Sequence, residues 1–348
     1  MDLATLPLCI QDEPHYRARQ IKLGVFVDLA EDWNDLTALP KKLREKLQKN
    51  CSLRISAELF PDKNVGAVKA LIRLADGKRI ETVLMRRRDG RNTVCVSCQV
   101  GCPMGCTFCA TGKMKLLRSL QPYEIVEQVV LFARYLKTEC ARVSNVVFMG
   151  MGEPFANYDN VLEAVRVLND HDGLNIGARH ISLSTCGILK GIQRLAKEPL
   201  QVNLALSLHA PDDATRRMIM PVSRSYTITA LLAGVDAYTQ ATHRKVMFEY
   251  LLLGGVNDTD THARALAKLL TGRLCMVNLI AYNATGMYAS ATKERMHYFS
   301  NVLQKAGIEA TIRYRHGREV RGACGQLATS NEDFMLPSDV VASADAPV

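Results

Sequence analysis

The 348-residue sequence predicts a parallel α/β fold carrying a small N-terminal accessory region. Three observations carry that prediction. Apolar, strand-like runs alternate with amphipathic helical stretches over most of the chain, the order expected when parallel strands are joined by helical crossovers. Small and polar residues gather where those strands end, the edge at which α/β sheets place their sites. Ahead of the alternation, leucines at helical spacing lie among lysines and arginines, and strand-like runs broken by turn residues follow them.

In chain order, residues 13–50 read as helical, with Leu36, Leu39, Leu43 and Leu47 at helical spacing beside Lys41, Lys42, Arg44 and Lys46. This is a small basic module. Residues 53–85 read as a meander interrupted by Pro61, Asn64-Val65-Gly66 and Asp76-Gly77. Strands are then expected at 93–96, 145–149, 180–184, 202–207, 246–252, 276–281 and 311–314, and helices around 123–136, 160–169, 188–196, 229–239, 261–270 and 293–305. Periodicity does not separate an open doubly wound sheet from a barrel. The divisions drawn are an N-terminal accessory region over 1–88, a core over 89–327 and a flexible tail over 328–348.

Composition narrows the class. No apolar run is long enough to span a bilayer, and Met1-Asp2-Leu3 lacks the order of a secretory signal, so a cytoplasmic enzyme is expected. There, eleven unevenly spaced cysteines are not a disulfide framework. Cys9, Cys51, Cys140, Cys186 and Cys275 read as small buried apolar residues. The net charge of +9 points to a polyanionic partner.

The strongest chemical signal is Cys102-Pro103-Met104-Gly105-Cys106-Thr107-Phe108-Cys109. Three closely spaced thiolates hold three irons of a [4Fe-4S] cube and leave the fourth without a protein ligand. An open iron is a place for chemistry, and S-adenosylmethionine is its usual occupant, chelating through amino and carboxylate groups. The competing reading pairs Cys95-x2-Cys98 with Cys106-x2-Cys109 around structural zinc, which leaves Cys102 unused.

Strand ends supply the remaining motifs: Gly150-Met151-Gly152-Glu153-Pro154, Ser184-Thr185-Cys186-Gly187, Ser207-Leu208-His209 and Ala281-Tyr282-Asn283. Together with Cys95 through Cys102, the cluster run and Ala323-Cys324-Gly325-Gln326-Leu327, they resemble the radical-SAM RNA adenosine methyltransferases, the RlmN/Cfr family, from about Tyr16 to Leu327. The resemblance implies a partial (β/α)6 barrel, a [4Fe-4S] cluster on Cys102, Cys106 and Cys109, and two molecules of S-adenosylmethionine per turnover. It implies as substrates an adenosine of the peptidyl-transferase centre in 23S rRNA, met before full ribosome assembly, and the anticodon-adjacent adenosine of tRNA. An electron donor of the flavodoxin or ferredoxin kind and a monomeric state complete the expectation.

The chemistry explains the residue set. An aromatic C–H carbon is too weakly nucleophilic to take a methyl group from a sulfonium by displacement. In the mechanism the family implies, Cys324 is methylated first, a 5′-deoxyadenosyl radical takes a hydrogen from that methyl, and the resulting methylene radical adds to the ring. Cys95 matches the thiol that releases the product, leaving a Cys95–Cys324 disulfide to be reduced. Cys98 departs from the family, where serine or threonine is expected, and leaves two thiols, Cys95 and Cys98, as candidates to resolve the adduct. Glu81 matches the proposed general base. Gly152 and Glu153 resemble contacts to the cofactor's amino group, and Ser184, Ser207, Leu208, His209 and Asn283 match contacts around its ribose, carboxylate and adenine. Ala284 stands where the family has proline.

Arg86-Arg87-Arg88 with Arg91, Lys113 with Lys115 and Arg118, and Arg313, Arg315, Arg318 with Arg321 are expected to track RNA phosphates. A buried adenine must be exposed first, so an unfolded segment or a flipped base is expected. Two rivals remain open: carbon-8 methylation, the resistance chemistry of the same family, and a zinc-binding RNA adaptor. Pro154 resembles the carbon-2 members.

Overall fold

The computed structural model describes all residues except 1, 2, 4, 63–65, 88, 284, 314–321 and 328–348. The expected tail, Arg88, Arg315, Arg318 and Arg321 lie outside the described residues.

The N-terminal module comprises α1 (Leu6–Ile10), α2 (His15–Phe26) and α3 (Lys41–Asn50). It does not form the unbroken helical stretch expected over 13–50. Asp32 caps a short turn at Trp33–Asp35, Pro40 starts α3, and Leu36 and Leu39 fall in the connection between. All four leucines are nevertheless buried, because the connection folds back over Leu43 and Leu47 and encloses Trp33. This module has its own core, separate from the main one. Arg134 ties the two together by donating to the carbonyls of Leu53 and Ala30.

The meander is β1 (Ala57–Pro61), β2 (Ala67–Arg73) and β3 (Arg79–Arg86), antiparallel throughout. β3 pairs with β4 (Asn92–Cys95), and the meander's buried residues belong to the main core, so one sheet joins the meander to the strands that follow. Residues 64 and 65, expected in its turn, lie outside the described residues.

After β4 come the two-stranded ribbon of β5 (Gln99–Val100) and β6 (Arg118–Ser119), then α4 (Pro122–Lys137), β7 (Asn145–Phe148), α5 (Tyr158–Asn169), β8 (Ile181–Thr185) and α6 (Leu189–Leu195). β9 (Asn203–Ser207), α7 (Asp213–Ile219), α8 (Ile228–Thr242), β10 (Val246–Gly254), α9 (Asp260–Leu270) and β11 (Cys275–Ala281) follow. The short β12 (Ala289–Ser290), α10 (Lys293–Lys305) and β13 (Glu309–Arg313) end the ordered alternation. Side chains of the preceding turn start four of the helices: Asp212 caps α7, Thr227 α8, Thr259 α9 and Thr292 α10, each accepting a backbone N–H of the first turn.

The parallel order is β4-β7-β8-β9-β10-β11-β13. Each strand from β4 to β11 in that order is followed by at least one helix, and β13 stands beyond them. Among the described residues β13 pairs only with β11, so the barrel is partial, as expected. Its open side lies between β13 and β4. No helix among the described residues is long and apolar enough to cross a membrane.

Candidate active site

Two cavities meet inside the C-terminal ends of the barrel strands. The first encloses about 900 Å³, counting its open mouth. Cys102, Cys106 and Cys109 line it together with Gly152, Glu153, Ser184, Ser207 and His209. The second is lined by Cys95, Asn145, Asn283, Arg313 and Ala323. Cys324 belongs to both walls. Its surface is exposed to this hollow, and desolvation by the surrounding protein is the first cause that raises its thiol above the ordinary range.

The loop bearing the three cysteines is latched on several sides. Thr107 donates its backbone N–H to the Ile219 carbonyl at the end of α7 (3.0 Å), and its hydroxyl meets Tyr288 Oη (2.7 Å). Thr285 Oγ1 donates to the Phe108 carbonyl (3.1 Å), while Lys113 Nζ donates to the Thr285 carbonyl (2.9 Å). The Cys324 loop is fastened to the same segment: Ala110 N–H donates to the Gly325 carbonyl (2.7 Å) and Thr111 Oγ1 to that of Leu327 (2.6 Å).

The glycines of Gly150-Met151-Gly152 are forced by crowding. A Cβ on Gly150 would sit 2.6 Å from the Val96 carbonyl oxygen, and one on Gly152, where φ is +103°, would sit 2.6 Å from Gln99 Cβ. This close approach delivers Glu153 into the wall. Its Oε1 accepts from Phe155 N–H (3.0 Å) and its Oε2 from Cys186 N–H (2.8 Å). Burial raises this carboxyl's pKa, and those hydrogen bonds oppose the shift. An ammonium group in the cavity is the natural complement to such a carboxylate.

His209 sits in the left-handed region (φ 57°), with Phe108 packed edge-on at 4.9 Å. Its Nδ1 accepts the Leu251 N–H (3.0 Å), which places the ring proton on Nε2. Burial lowers its pKa to about 3. The unfolded chain binds this proton below about pH 6.5 and the folded chain does not, so stability is full above that value and falls as pH drops toward 3. About 2 kcal/mol should be lost between pH 6.5 and pH 5 from this group alone. Thermal melts of the wild type across that interval should show the slope, and His209→Asn should flatten it.

Several residues not singled out from the sequence shape the site. Gln128 of α4 clamps Ser97 from both sides, accepting its N–H (2.8 Å) and donating to its carbonyl (2.9 Å). Ser97 Oγ then donates to the Glu81 carbonyl (2.6 Å) and accepts from Met151 N–H (2.9 Å), setting Cys95 against the Gly150 turn. Arg216, 1% exposed, donates to the carbonyls of Leu208, Cys186 and Ser207 and fixes two strand ends. Asn257 donates to the carbonyls of His209 and Leu251. For Gln128, Ser97 and Asn257 the sequence signal is a polar side chain inside or just after an apolar run; Arg216, in a polar stretch, carries none.

Other expected residues lie away from the wall of the first cavity. Leu208 is fully buried, its N–H donating to the Glu249 carbonyl and its own carbonyl accepting from Arg216. Asn283 lines the second cavity rather than the first; its Nδ2 donates to the Cys324 carbonyl (3.3 Å). Glu81 lies outside both walls, 1% exposed and 3.1 Å from Lys69 Nζ, on the face of β3 that also bears Val83, the register partner of Cys95. Cys140 is exposed, at φ 54°, and so is not a small core residue. Among the described residues of the basic clusters, Arg86 pairs with Glu139, Arg118 with Asp76 and Glu124, Arg91 with Asp89, and Arg313 with Glu249.

The zinc reading fails on geometry. Among the described residues, only Asp170, His171 and Asp172 bring three ligand atoms within 4.8 Å of one another. Cys95 faces the second cavity and Cys98 neither, so the four thiols do not converge on one ion. Three cysteines spread round one apolar wall fit a wider, multi-iron group.

The fold and this wall define a radical-SAM protein, and the radical SAM superfamily domain matches residues 96–266. Curated relatives place the chain more narrowly: it is 46% identical over 90% of its length to a probable dual-specificity RNA methyltransferase RlmN of Symbiobacterium thermophilum, covering 86% of that protein. The corresponding protein of Chloroflexus aurantiacus is 47% identical over 91% of this chain and 88% of its own. A crystal structure of a radical SAM methyltransferase from Sphaerobacter thermophilus superposes with a TM-score of 0.89 at 46% identity, covering 94% of this chain and 97% of that one. The chain belongs to the RlmN family of radical-SAM methyltransferases.

Proposed function

We propose that this protein methylates carbon 2 of adenosine in 23S rRNA and in tRNA through a methylated Cys324. The observation that carries the reading is that Cys324 opens on both cavities, with the three loop cysteines and Glu153 on one side and Cys95 on the other. Cys102, Cys106 and Cys109 are assigned as ligands of a [4Fe-4S] cluster, and Gly152, Glu153, Ser184, Ser207 and His209 as the cradle of S-adenosylmethionine. Bound there, cluster and cofactor supply both a transferable methyl group and the hydrogen-abstracting radical of this superfamily.

The chain's own residues divide the remaining work. Glu153 holds the cofactor's ammonium group through its buried carboxylate. Cys324 takes the methyl group as a thioether and presents it across the cavity junction to a base in the second cavity. Cys95 attacks the Cys324 sulfur: the S–S bond forms, the bond from Cys324 to the added carbon breaks, and that electron pair stays with the carbon, which takes a proton. Each cycle thus ends with a disulfide that an external reductant reopens. The ring hydrogen of carbon 2 leaves as a proton and an electron, the electron being one that the bound redox group would take up; Glu81, buried outside both walls and paired with Lys69, is not placed to take the proton directly.

Pro154, resembling the carbon-2 members, supports that position over carbon 8. Close similarity to relatives named as dual-specificity RNA methyltransferases supports two RNA substrates. The gene is expressed in a strain lacking its own such enzyme, and nucleosides from 23S rRNA and tRNA are examined by mass spectrometry. 2-Methyladenosine in both is the expected result; 8-methyladenosine, or no new methyladenosine, overturns the assignment.

A further inference from the structure

The partition between the two cavities contains a charged pair that the reaction above leaves unused. Glu249 of β10 is the register partner of Asn278 on β11, which is the register partner of Thr311 on β13. Thr311 Oγ1 donates to Asn278 Oδ1 (2.6 Å), which turns Asn278 Nδ2 toward Glu249 Oε1 (2.8 Å). The same carboxylate oxygen lies 3.3 Å from Arg313 Nη2. A row of side chains on three adjacent strands therefore fixes one buried carboxylate, and that carboxylate fixes one guanidinium. Arg313 Nη1 also approaches Met149 Sδ (3.4 Å), just beyond β7, so the side chain reaches across the open side of the barrel.

We propose that Arg313, held by Glu249, is the electrostatic partner that lets Cys95 ionise inside the protein and so sets how fast it attacks Cys324. This rests on the resolving role given to Cys95 above. A thiol attacks as its thiolate, and the thiolate of a buried cysteine needs a nearby positive charge. Cys95 is 7% exposed at the end of β4, and Arg313 shares its cavity wall. Burial pushes the Cys95 thiol up to about 12, Cys324 adds to that pressure, and a hydrogen bond from the backbone of Met149 and the charge of Arg313 oppose it. The other charges near this wall are committed or peripheral: Lys69 with Glu81 along the same sheet face, Arg91 with Asp89, and Arg87 at the exposed rim. An arginine that would otherwise read as a phosphate contact is thus placed to serve a thiol.

The test needs no RNA. Cluster-loaded, reduced, full-length protein is treated without oxygen with neutral iodoacetamide or anionic iodoacetate, and modification of Cys95 is followed by peptide mass spectrometry. Exposed Cys140 is the internal reference. Arg313→Gln should slow iodoacetamide at Cys95 about tenfold at pH 8, the effect of one unit in thiol pKa. It should also lower the iodoacetate-to-iodoacetamide rate ratio at Cys95 about threefold or more, by removing a local positive charge. Cys140 should not change, and Arg313→Lys should restore most of both effects. Arg313→Met, uncharged and of similar length, gives the same expectation should the amide variant fail to fold. A mere change in cavity shape would alter both reagents alike and leave the ratio untouched. An unaltered ratio, or a lysine variant as low as the neutral ones, overturns the proposal. The role of Cys95 itself is judged separately by adduct trapping, which does not involve Arg313.

Discussion

Protein carrying Cys95→Ala, purified from growing cells, is expected to run on a denaturing gel as a nuclease-sensitive, upshifted band. The variant keeps Cys324 and the whole wall of the first cavity, so methylation of Cys324 and its addition to the base can proceed. Release then lacks its thiol, and RNA stays covalently attached. Cys98 is the neighbour that could stand in, but it is 2% exposed and lies in neither cavity wall. Its backbone is fixed by bonds to Met151, Leu120 and Asn157, so a thiol there has no route to Cys324. Adding Cys98→Ala to Cys95→Ala should therefore leave the band as strong. Cys324→Ala should give neither band nor methylated RNA. Methylated RNA from Cys95→Ala with no band would remove covalent catalysis from the assignment.

The second large effect concerns the metal. Alanine at Cys102, Cys106 or Cys109 should remove nearly all iron, sulfide and brown absorbance from anaerobically purified protein, and S-adenosylmethionine cleavage with them. Each thiol is one of three, and the described wall offers no other cysteine able to replace it in holding the cube: Cys186 and Cys324 line the same cavity but sit on other loops. Cys98→Ala should keep its iron. Loss of iron in that variant, or stoichiometric zinc in the wild type, would sink the ligand assignment.

Much of this was legible in the sequence because it depends on local rules. Alternating apolar strands and amphipathic helices reveal parallel α/β order, and a run such as Val246–Gly254 is apolar enough to be read directly. Gly150 and Gly152 mark a backbone approach whose partner, the 96–99 segment, only the fold shows. What was missed is non-local. The short helix α7 has a polar, capped sequence, and its value lies in presenting Ile219 to the cysteine loop and Arg216 to two strand ends. Leu36 and Leu39 keep a helical rhythm with Leu43 and Leu47, yet the turn at Trp33 and the proline at 40 place them in a connection. Arg313 looks like one more member of a basic run until Glu249, 64 residues earlier, is seen beside it.

The open side of the barrel also carries a temporal meaning. Cys95 closes β4, the first parallel strand, whereas Cys324 follows β13, the last. During synthesis the three loop cysteines and their first latches emerge from the ribosome well before the acceptor thiol. On the function proposed above, until Gly325 and Leu327 dock on Ala110 and Thr111 the chain would hold the parts that generate a radical with no thiol in place to receive it. Competence therefore arrives with the final loop, and a chain truncated before residue 322 should waste cofactor without ever marking an RNA.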